Sequence, residues 1–505
     1  MANARDSGFD HARVDAELEL ARCVRGLREA HAHVLAFGKA KAALALWRCG
    51  SRAEVLGLIA ARAAEMDRDT VEASQWLIAV GARPAAWAEV DIEITNLGAA
   101  RHGAWPTLEE IDSASPNRPC LLMSFDHHSG VANTRGLLAS GLHARSADPA
   151  GGVLVRDEAG RFTGVLLESA FGRVRGSVPE PTRAEMKAYL VDALADFAKM
   201  GFGEVHDLLT PPMVPELLHE LEAEGKLTQT VWMYVPLDVD APGLGLSTKG
   251  IDIESHAARR DSFESKQVRL AGGKVFADGT LNATTAWMRA PYANGLADHP
   301  CGTALVSVES LRNSLRRCWS LGIGLAVHAI GDGAVRAVVE ATEAELAAGN
   351  EAWQSVREAG LPPVRIEHAE VVDAGDVPRI AALWRRIGLV VSVQPCHLLY
   401  DIEVLEKQLP DRLDRVLPLR ALIDAGVTPG EGLWFGSDAP IVRPEPKDSL
   451  IAAIARRRED GSVGGSVGGG PSGAIAEEEA ITLEEAVKCF GWVVSGVVRA
   501  DCPRE

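Results

Sequence analysis

The chain has little of what a nucleic-acid partner or a membrane would require. It carries 52 lysines and arginines against 70 aspartates and glutamates, which gives a net charge of −18 over 505 residues, whereas nucleic-acid-binding proteins present a basic stripe. No apolar run approaches the roughly 18 residues that span a bilayer. The first residues, Met-Ala-Asn-Ala-Arg-Asp-Ser, lack the apolar segment of a signal peptide. We therefore expect a cytoplasmic protein with no nucleic-acid and no membrane partner.

Cysteine is sparse and follows no ligand or disulfide pattern. No C-x-x-C pair occurs among the eight cysteines, which are Cys23, Cys49, Cys120, Cys301, Cys318, Cys396, Cys489 and Cys502. This spacing favours free thiols over a disulfide framework or a structural zinc site. The rest of the composition, 47% hydrophobic and 24% charged, is ordinary for a globular protein. The length fits one large α/β barrel plus an appendage.

Three segments in the second half of the chain each end an apolar, strand-like run on a residue that can bind a metal. They are Gly324–His328, Val364–His368 and Leu433–Asp438, and each is followed by turn residues and a helix-like stretch. Two histidines and an aspartate at the C-terminal tips of separate strands are typical of a metal centre at the mouth of a parallel barrel. Three such tips in series, about one strand–helix unit apart, make the signal strong.

From about residue 200 onward, strand-like and helix-like stretches alternate, with predicted strand ends near residues 207, 235, 276, 328, 368, 397 and 438. A closed eight-stranded barrel needs one more strand, and Gly26–Leu35 is the candidate. In a strand, His31 and His33 project from the same face and can share a metal. The surrounding residues 14–47 are rich in helix-forming residues, and in a helix the two histidines would not face each other. The spacing alone leaves both interpretations open.

Residues 51–195 do not continue the alternation. They contain a predicted helix at Ser51–Met66 and a hairpin-like stretch that starts at Gly151, which predicts an inserted α+β domain. The other predicted divisions are an N-terminal remnant or extension (1–25), the first barrel strand and the start of a helix (26–50), the remainder of the barrel (196–498) and a tail (499–505). The Gly- and Ser-rich residues 461–473 are predicted to form a flexible loop.

Taken together, these motifs resemble the amidohydrolase superfamily, and most closely its amidohydrolase-3 branch, which contains N-substituted formamide deformylase. The motifs that carry the resemblance are His31-Ala-His33, Lys274-Val-Phe-Ala-Asp278-Gly279, His328-Ala-Ile-Gly-Asp332, Arg365-Ile-Glu-His368, Ser392-Val-Gln-Pro-Cys-His397 and Gly436-Ser-Asp438. The resemblance implies an α/β fold, a distorted (β/α)8 TIM barrel with an α+β insertion between strands 1 and 2. The family's terminal β-sandwich is expected to be reduced or missing.

The resemblance also implies a metal site of one or two ions, usually zinc, with other divalent metals open. Its ligands would be His31, His33, Lys274, His328, His368 and Asp438. Lys274 would be carboxylated and bridge two ions, whereas an unmodified Lys274 would cap a strand end or pair with Asp278. Such an ion would lower the pKa of bound water towards about 7. Asp438, the predicted catalytic residue, would accept the water proton and deliver it to the leaving nitrogen.

Four further residues are candidates for substrate binding: His128, Asn133 and His397 lie where the family lines its substrate pocket, and Asp278 lies just past the strand that carries Lys274. For each of them, the alternative is a hydrogen-bonded residue that fixes a loop. The expected function is hydrolysis of a non-peptide C–N bond, of amide or formamide type, in a small-molecule substrate. The alternatives are a one-metal deaminase of a cyclic amidine and an inactive barrel that acts as a binding protein. The oligomeric state stays open, with a homodimer as one option.

Overall fold

The computed structural model describes residues 11–68, 75–82, 84, 87, 105–124, 129–143, 145–149, 152–157, 159–237, 253–258, 265–295, 299–458 and 474–492. The predicted flexible loop at 461–473 and the predicted pocket residue His128 lie outside these ranges. The contacts divide the chain into two compact units. The first contains the described residues up to Phe37 and from Leu190 onward, and the second contains those from Gly38 to Tyr189. The predicted insertion bounds, 51 and 195, stay a prediction.

The strands of the described residues form two sheets, of eight and six strands. In chain order they are β1 (Leu27–Ala32), β2 (Leu44–Ala45), β3 (Leu77–Ala82), β4 (Cys120–Ser124), β5 (Ser129–Ala132), β6 (Gly152–Arg156), β7 (Phe162–Glu168), β8 (Phe202–Asp207), β9 (Thr230–Pro236), β10 (Val268–Phe276), β11 (Gly324–Ala329), β12 (Val364–His368), β13 (Val390–Val393) and β14 (Leu433–Phe435).

The α-helices of the same residues are α1 (His11–Val24), α2 (Val34–Ala42), α3 (Arg52–Arg68), α4 (Leu108–Ala114), α5 (Thr134–Ala139), α6 (Ser169–Arg175), α7 (Arg183–Lys199), α8 (Val214–Ala223), α9 (Ile253–Ala258), α10 (Val308–Ser320), α11 (Asp332–Ala347), α12 (Trp353–Glu358), α13 (Val377–Ile387), α14 (Leu398–Gln408), α15 (Leu419–Asp424), α16 (Pro446–Ala455) and α17 (Leu483–Cys489). Short 3₁₀ turns occur at Pro395–His397, Leu413–Arg415 and Glu477–Glu479.

The eight-stranded sheet of the first unit is a parallel barrel. Its strand order is β1-β8-β9-β10-β11-β12-β13-β14, and each paired neighbour is parallel. The ring closes just beyond the strand ends, where the backbone nitrogen of Asp438 donates to the carbonyl of His31 at 2.6 Å and that of His33 donates to Ala439 at 2.8 Å. The fold is therefore the expected distorted (β/α)8 barrel, and the second sheet lies in the chain between β1 and β8. Within the described ranges, every named strand belongs to one of these two sheets, and none forms a terminal β-sandwich.

The first barrel strand is confirmed as a strand, which settles the question that the spacing left open. Leu27–Ala32 pairs in parallel with β8. Glu29 is fully buried, and its Oε1 accepts hydrogen bonds from the backbone nitrogens of His31 at 3.0 Å and Ser437 at 2.8 Å. Arg28 lies 4.0 Å over the ring of Trp434. These long-range partners allow two charged residues in a strand that local propensity does not favour.

Capping residues define several helix ends in the barrel. Ser307 caps α10 by accepting from the backbone nitrogen of Ser310, as a side-chain oxygen at an N-terminus does. Gly388 ends α13 with a φ of 74°, a conformation that glycine adopts without a steric penalty. The last helix, α17, begins after Thr482, whose side chain accepts from the backbone nitrogen of Glu485.

The second unit contains a mixed sheet of order β2-β3-β4-β5-β7-β6. Its strands have an apolar cluster on each face, since neighbouring residues such as Leu121 and Leu122 belong to different clusters. The predicted hairpin is present as the antiparallel pair β6 and β7, and the predicted helix Ser51–Met66 corresponds to α3.

Six described cysteines carry free thiols. Cys23 is disulfide-bonded, which corrects the expectation of free thiols at that position.

In the part of the chain that the structure describes, no helix combines the length and apolarity needed to cross a membrane.

Candidate metal centre

The structure brings the six predicted ligands together at the C-terminal ends of the barrel strands. His31 is the second-last residue of β1 and His33 directly follows this strand. Lys274 lies in β10, His328 lies in β11, His368 ends β12, and Asp438 follows β14. The ring centroids of His328 and His368 are 4.3 Å apart, those of His31 and His368 4.8 Å, and those of His31 and His33 5.5 Å. Strand register places these residues at one mouth of the barrel, where such folds carry their active sites.

Asp438 faces the histidines of the first strand. Its Oδ1 lies 2.9 Å from Nε2 of His33 and 3.4 Å from Nε2 of His31, so the three side chains can offer ligand atoms to one ion. Burial alone would raise the pKa of Asp438, but His31 and His33 hold it below its usual value. Asp438 and His368 both adopt a positive φ, 62° and 73°. This backbone conformation costs free energy in a residue other than glycine, and residues that adopt it are concentrated at functional sites.

Lys274 contributes a buried amine to the centre. Its side chain is buried, and among the described residues its Nζ has no hydrogen-bond partner. Burial lowers the pKa of Lys274 to about 8. Its positive charge also contributes to the lowered pKa values of His31, His328 and His368.

The residues present fit a divalent cation. Burial lowers the pKa of His328 to about 3 and those of His31 and His368 well below the usual value, so these rings are neutral, which is the form that binds metals. In the described part of the chain, Nδ1 of His368 has no hydrogen-bond partner, like Nζ of Lys274. Leaving such buried polar atoms unpaired costs free energy. A set of nitrogen and carboxylate donors is the one that zinc takes in proteins.

Comparisons with known proteins identify the family of the chain. The sequence model of the amidohydrolase family matches residues 25–491. The chain belongs to the amidohydrolase family. It is 25% identical to the protein YtcJ of Bacillus subtilis over 94% of this chain and 79% of that protein. It is also 25% identical to N-substituted formamide deformylase of Arthrobacter pascens, over 76% of this chain and 65% of the enzyme.

A solved structure from Pyrococcus horikoshii, described as an uncharacterized metal-dependent hydrolase, shares the fold. Its TM-score is 0.65 at 22% identity, and the match covers 92% of this chain and 79% of that one. The two proteins therefore share a fold, and the family model places this chain among the amidohydrolases. The expected superfamily is confirmed, whereas the individual site residues stay predictions that the geometry supports to different degrees.

His397 is the predicted pocket residue that lies next to the centre of this amidohydrolase. Its Nδ1 is 2.9 Å from Oε1 of Glu370, and its Nε2 is 3.9 Å from Oδ2 of Asp438. Burial opposes protonation, but the hydrogen bond and charge of Glu370, together with Asp438, raise the pKa of His397 to about 9. His397 is thus held as a cation beside the predicted catalytic carboxylate.

Two other predicted pocket residues have their hydrogen-bonding atoms occupied by the protein itself. Asp278 accepts from the backbone nitrogens of Ile330, Gly331 and Trp287 at 2.8–3.0 Å, so it orders the loop after β11 and is not committed to Lys274. In the second unit, Asn133 accepts twice through Oδ1 and donates twice through Nδ2, with Cys120, Gly136, Ser115 and Arg118 as partners. The side-chain amide of an asparagine has two N–H donors and one oxygen with two lone pairs. These four hydrogen bonds therefore use all of the side chain's donors and both lone pairs. The geometry therefore favours the loop-fixing role for both residues.

The sequence interpretation missed three buried acidic residues beside the centre. Oε2 of Glu367 lies 2.7 Å from Nδ1 of His31, Glu370 holds His397, and Asp401 accepts from Nδ2 of Asn282 at 2.6 Å. Burial and the charge of Glu370 raise the pKa of Asp401 to about 7. For Glu367, the available signal was its place in the Arg-Ile-Glu-His run. Asp401 lies in a helix and has no comparable signal.

Proposed function

We propose that this amidohydrolase cleaves a carbon–nitrogen bond of amide or formamide type in a small molecule, with one or two zinc ions at the barrel mouth. The single observation that carries the proposal is the convergence of four histidines, a buried lysine and an aspartate from five strand ends. The similarity to N-substituted formamide deformylase supports the choice of bond. His31, His33 and Asp438 would hold one ion, and His328 and His368 the other.

A divalent cation at this place would supply hydroxide at neutral pH and polarise the substrate carbonyl. Asp438 is the proposed proton carrier, because its carboxylate is buried and lies among the histidines. It would accept the proton released as the amide carbon is attacked and deliver it to the leaving nitrogen. His397, held by Glu370, would donate a hydrogen bond to the substrate from Nε2. Among the described residues, this atom has no hydrogen-bond partner.

Lys274 is proposed to join the two halves of the site after carboxylation of its amine. The unpartnered Nζ in a dry environment supports this role, since the modification replaces an isolated buried amine by an acceptor for cations. A one-metal deaminase does not need such a bridge, so Lys274 counts against that alternative.

Metal analysis of the purified protein tests the proposal. About two zinc ions per chain would support it, about one would favour the deaminase, and none would favour a binding protein without catalysis. The metal-loaded protein is then assayed for release of amine from a panel of N-formyl and N-acyl amines, with cyclic amidines as the comparison. Turnover of the amidines alone would contradict the proposed bond.

A further inference from the structure

A continuous line of polar contacts leads from the partly exposed Glu204 through buried residues of the barrel to His31. Oε1 of Glu204 lies 2.8 Å from Nε2 of His206, and Nδ1 of His206 lies 2.7 Å from Nη1 of Arg365. Nη2 of Arg365 donates to Oε2 of Glu367 at 3.2 Å, and the same oxygen lies 2.7 Å from Nδ1 of His31. His206, Arg365, Glu367 and His31 are at most 2% exposed, so water does not separate these groups.

Donors and acceptors along this line fix the tautomers of both histidines. Arg365 can only donate, so Nδ1 of His206 accepts and Nε2 carries the hydrogen that Glu204 accepts. Glu367 as a carboxylate can only accept, so Nδ1 of His31 carries the hydrogen. A neutral His31 then has its lone pair on Nε2. That atom faces Asp438 at 3.4 Å, which is the direction of the proposed metal.

Arg365 also contacts residues of three other barrel strands. Its Nη2 donates to the carbonyl of Ala30 in β1 at 2.6 Å and to Oγ of Ser392 in β13 at 3.1 Å. Its guanidinium also lies 4.8 Å over the ring of Tyr234 in β9. A buried guanidinium with this many partners has little freedom to move, so the carboxylate that it holds is fixed as well.

We propose that Glu367 is a positioning residue, held by Arg365, that fixes His31 with Nε2 directed to the metal. The inference rests on the proposed function, in which His31 is a ligand. Histidine ligands commonly donate their other ring hydrogen to a carboxylate, which orients the ring and raises its basicity. The competing explanation is that Glu367 merely neutralises Arg365, in which case it matters for stability but not for the metal.

Two variants separate these explanations. Glu367→Gln keeps the size of the side chain and removes the charge. The double variant Arg365→Met with Glu367→Leu removes both charges and leaves His31 without its acceptor, and such apolar replacement of a buried ion pair is commonly tolerated by the fold. Glu345→Gln is the matched control, because Glu345 is also a buried carboxylate paired with an arginine, Arg312, at 2.9 Å, but lies on α11 outside the centre.

The measurements are zinc affinity by chelator competition and the visible spectrum of the cobalt-substituted protein. We expect both Glu367 variants to bind zinc about 10- to 100-fold more weakly and to show an altered cobalt spectrum, while Glu345→Gln retains wild-type values. Unchanged affinity and spectrum in the double variant would overturn the positioning role and leave the proposed function intact. A wild-type protein that binds no zinc would overturn both.

Discussion

Replacement of Asp438 by asparagine separates proton transfer from metal binding. The change keeps the shape of the side chain and one oxygen near Nε2 of His33, which lies 2.9 Å from Oδ1 in the native protein. It removes the negative charge that can accept a proton. Loss of a general base and acid typically lowers the rate by about 10²- to 10⁴-fold, which corresponds to about 3–5 kcal/mol of transition-state stabilisation. Metal content should fall much less, because the histidines remain.

The assay compares kcat and bound zinc for the wild-type and Asp438→Asn proteins, using the amide that the wild type hydrolyses fastest. Asp376→Asn is the control, because Asp376 is also fully buried but pairs with Arg336 at 2.9 Å and Arg379 at 2.7 Å. The control should lose stability and keep the turnover of its folded fraction. Near wild-type kcat in Asp438→Asn at full zinc content would refute the proton-carrier role. Parallel loss of zinc and activity would restrict Asp438 to metal binding.

Three further predictions concern the support of the centre. Removal of metal by a chelator should lower the thermal midpoint, and zinc should restore it, since saturation at 100 times Kd adds about 2.7 kcal/mol; a midpoint that does not respond would argue against a metal in the folded protein. Glu29→Ala strands the buried backbone nitrogens of His31 and Ser437, so urea titration should show a loss of about 2–6 kcal/mol at about 1–3 kcal/mol per group. Gly436→Ala places a Cβ on the backbone nitrogen of His31 and should reduce bound zinc in the folded protein, whereas Gly57→Ala, where a Cβ meets nothing within 4 Å, should not.

The second half of the barrel could be predicted from the sequence because each strand is short, apolar and followed by a ligand and a turn. Burial in a parallel sheet favours such continuous apolar runs, and His328 and His368 lie at the ends of two of them. The first strand could not be assigned from spacing, because Arg28 and Glu29 oppose a buried strand in local terms. Glu29 accepts a hydrogen bond from the backbone nitrogen of Ser437, which follows β14 and lies more than 400 positions away in the chain. Such long-range contacts stabilise the buried strand, and the spacing of residues in β1 does not reveal them.

Pocket residues were harder to assign than metal ligands for a physical reason. A metal site needs a small set of residue types, so histidines and an aspartate at strand ends are informative by type. Asp278 could equally bind a substrate or accept backbone hydrogen bonds, and only its three nitrogen partners favour the second role. The same ambiguity applies to His397, whose position beside Asp438 depends on a 3₁₀ turn that the sequence pattern did not predict.

Strand β12 carries two charged residues, Arg365 and Glu367, that are buried in the barrel. Barrel interiors are normally filled by layers of branched apolar side chains, yet Arg365 and Glu367 share one face of the strand and alternate with Val364 and Ile366, and all four are buried. Alternating charge in a buried strand therefore predicts an internal ion pair from sequence. It does not predict which ligand the pair serves, because that depends on the barrel bringing β12 opposite β1. If Glu367 positions His31 as proposed, the orientation of His31 requires closure of the whole barrel, and a predicted ligand near the start of the chain depends on residues in the last third of the chain.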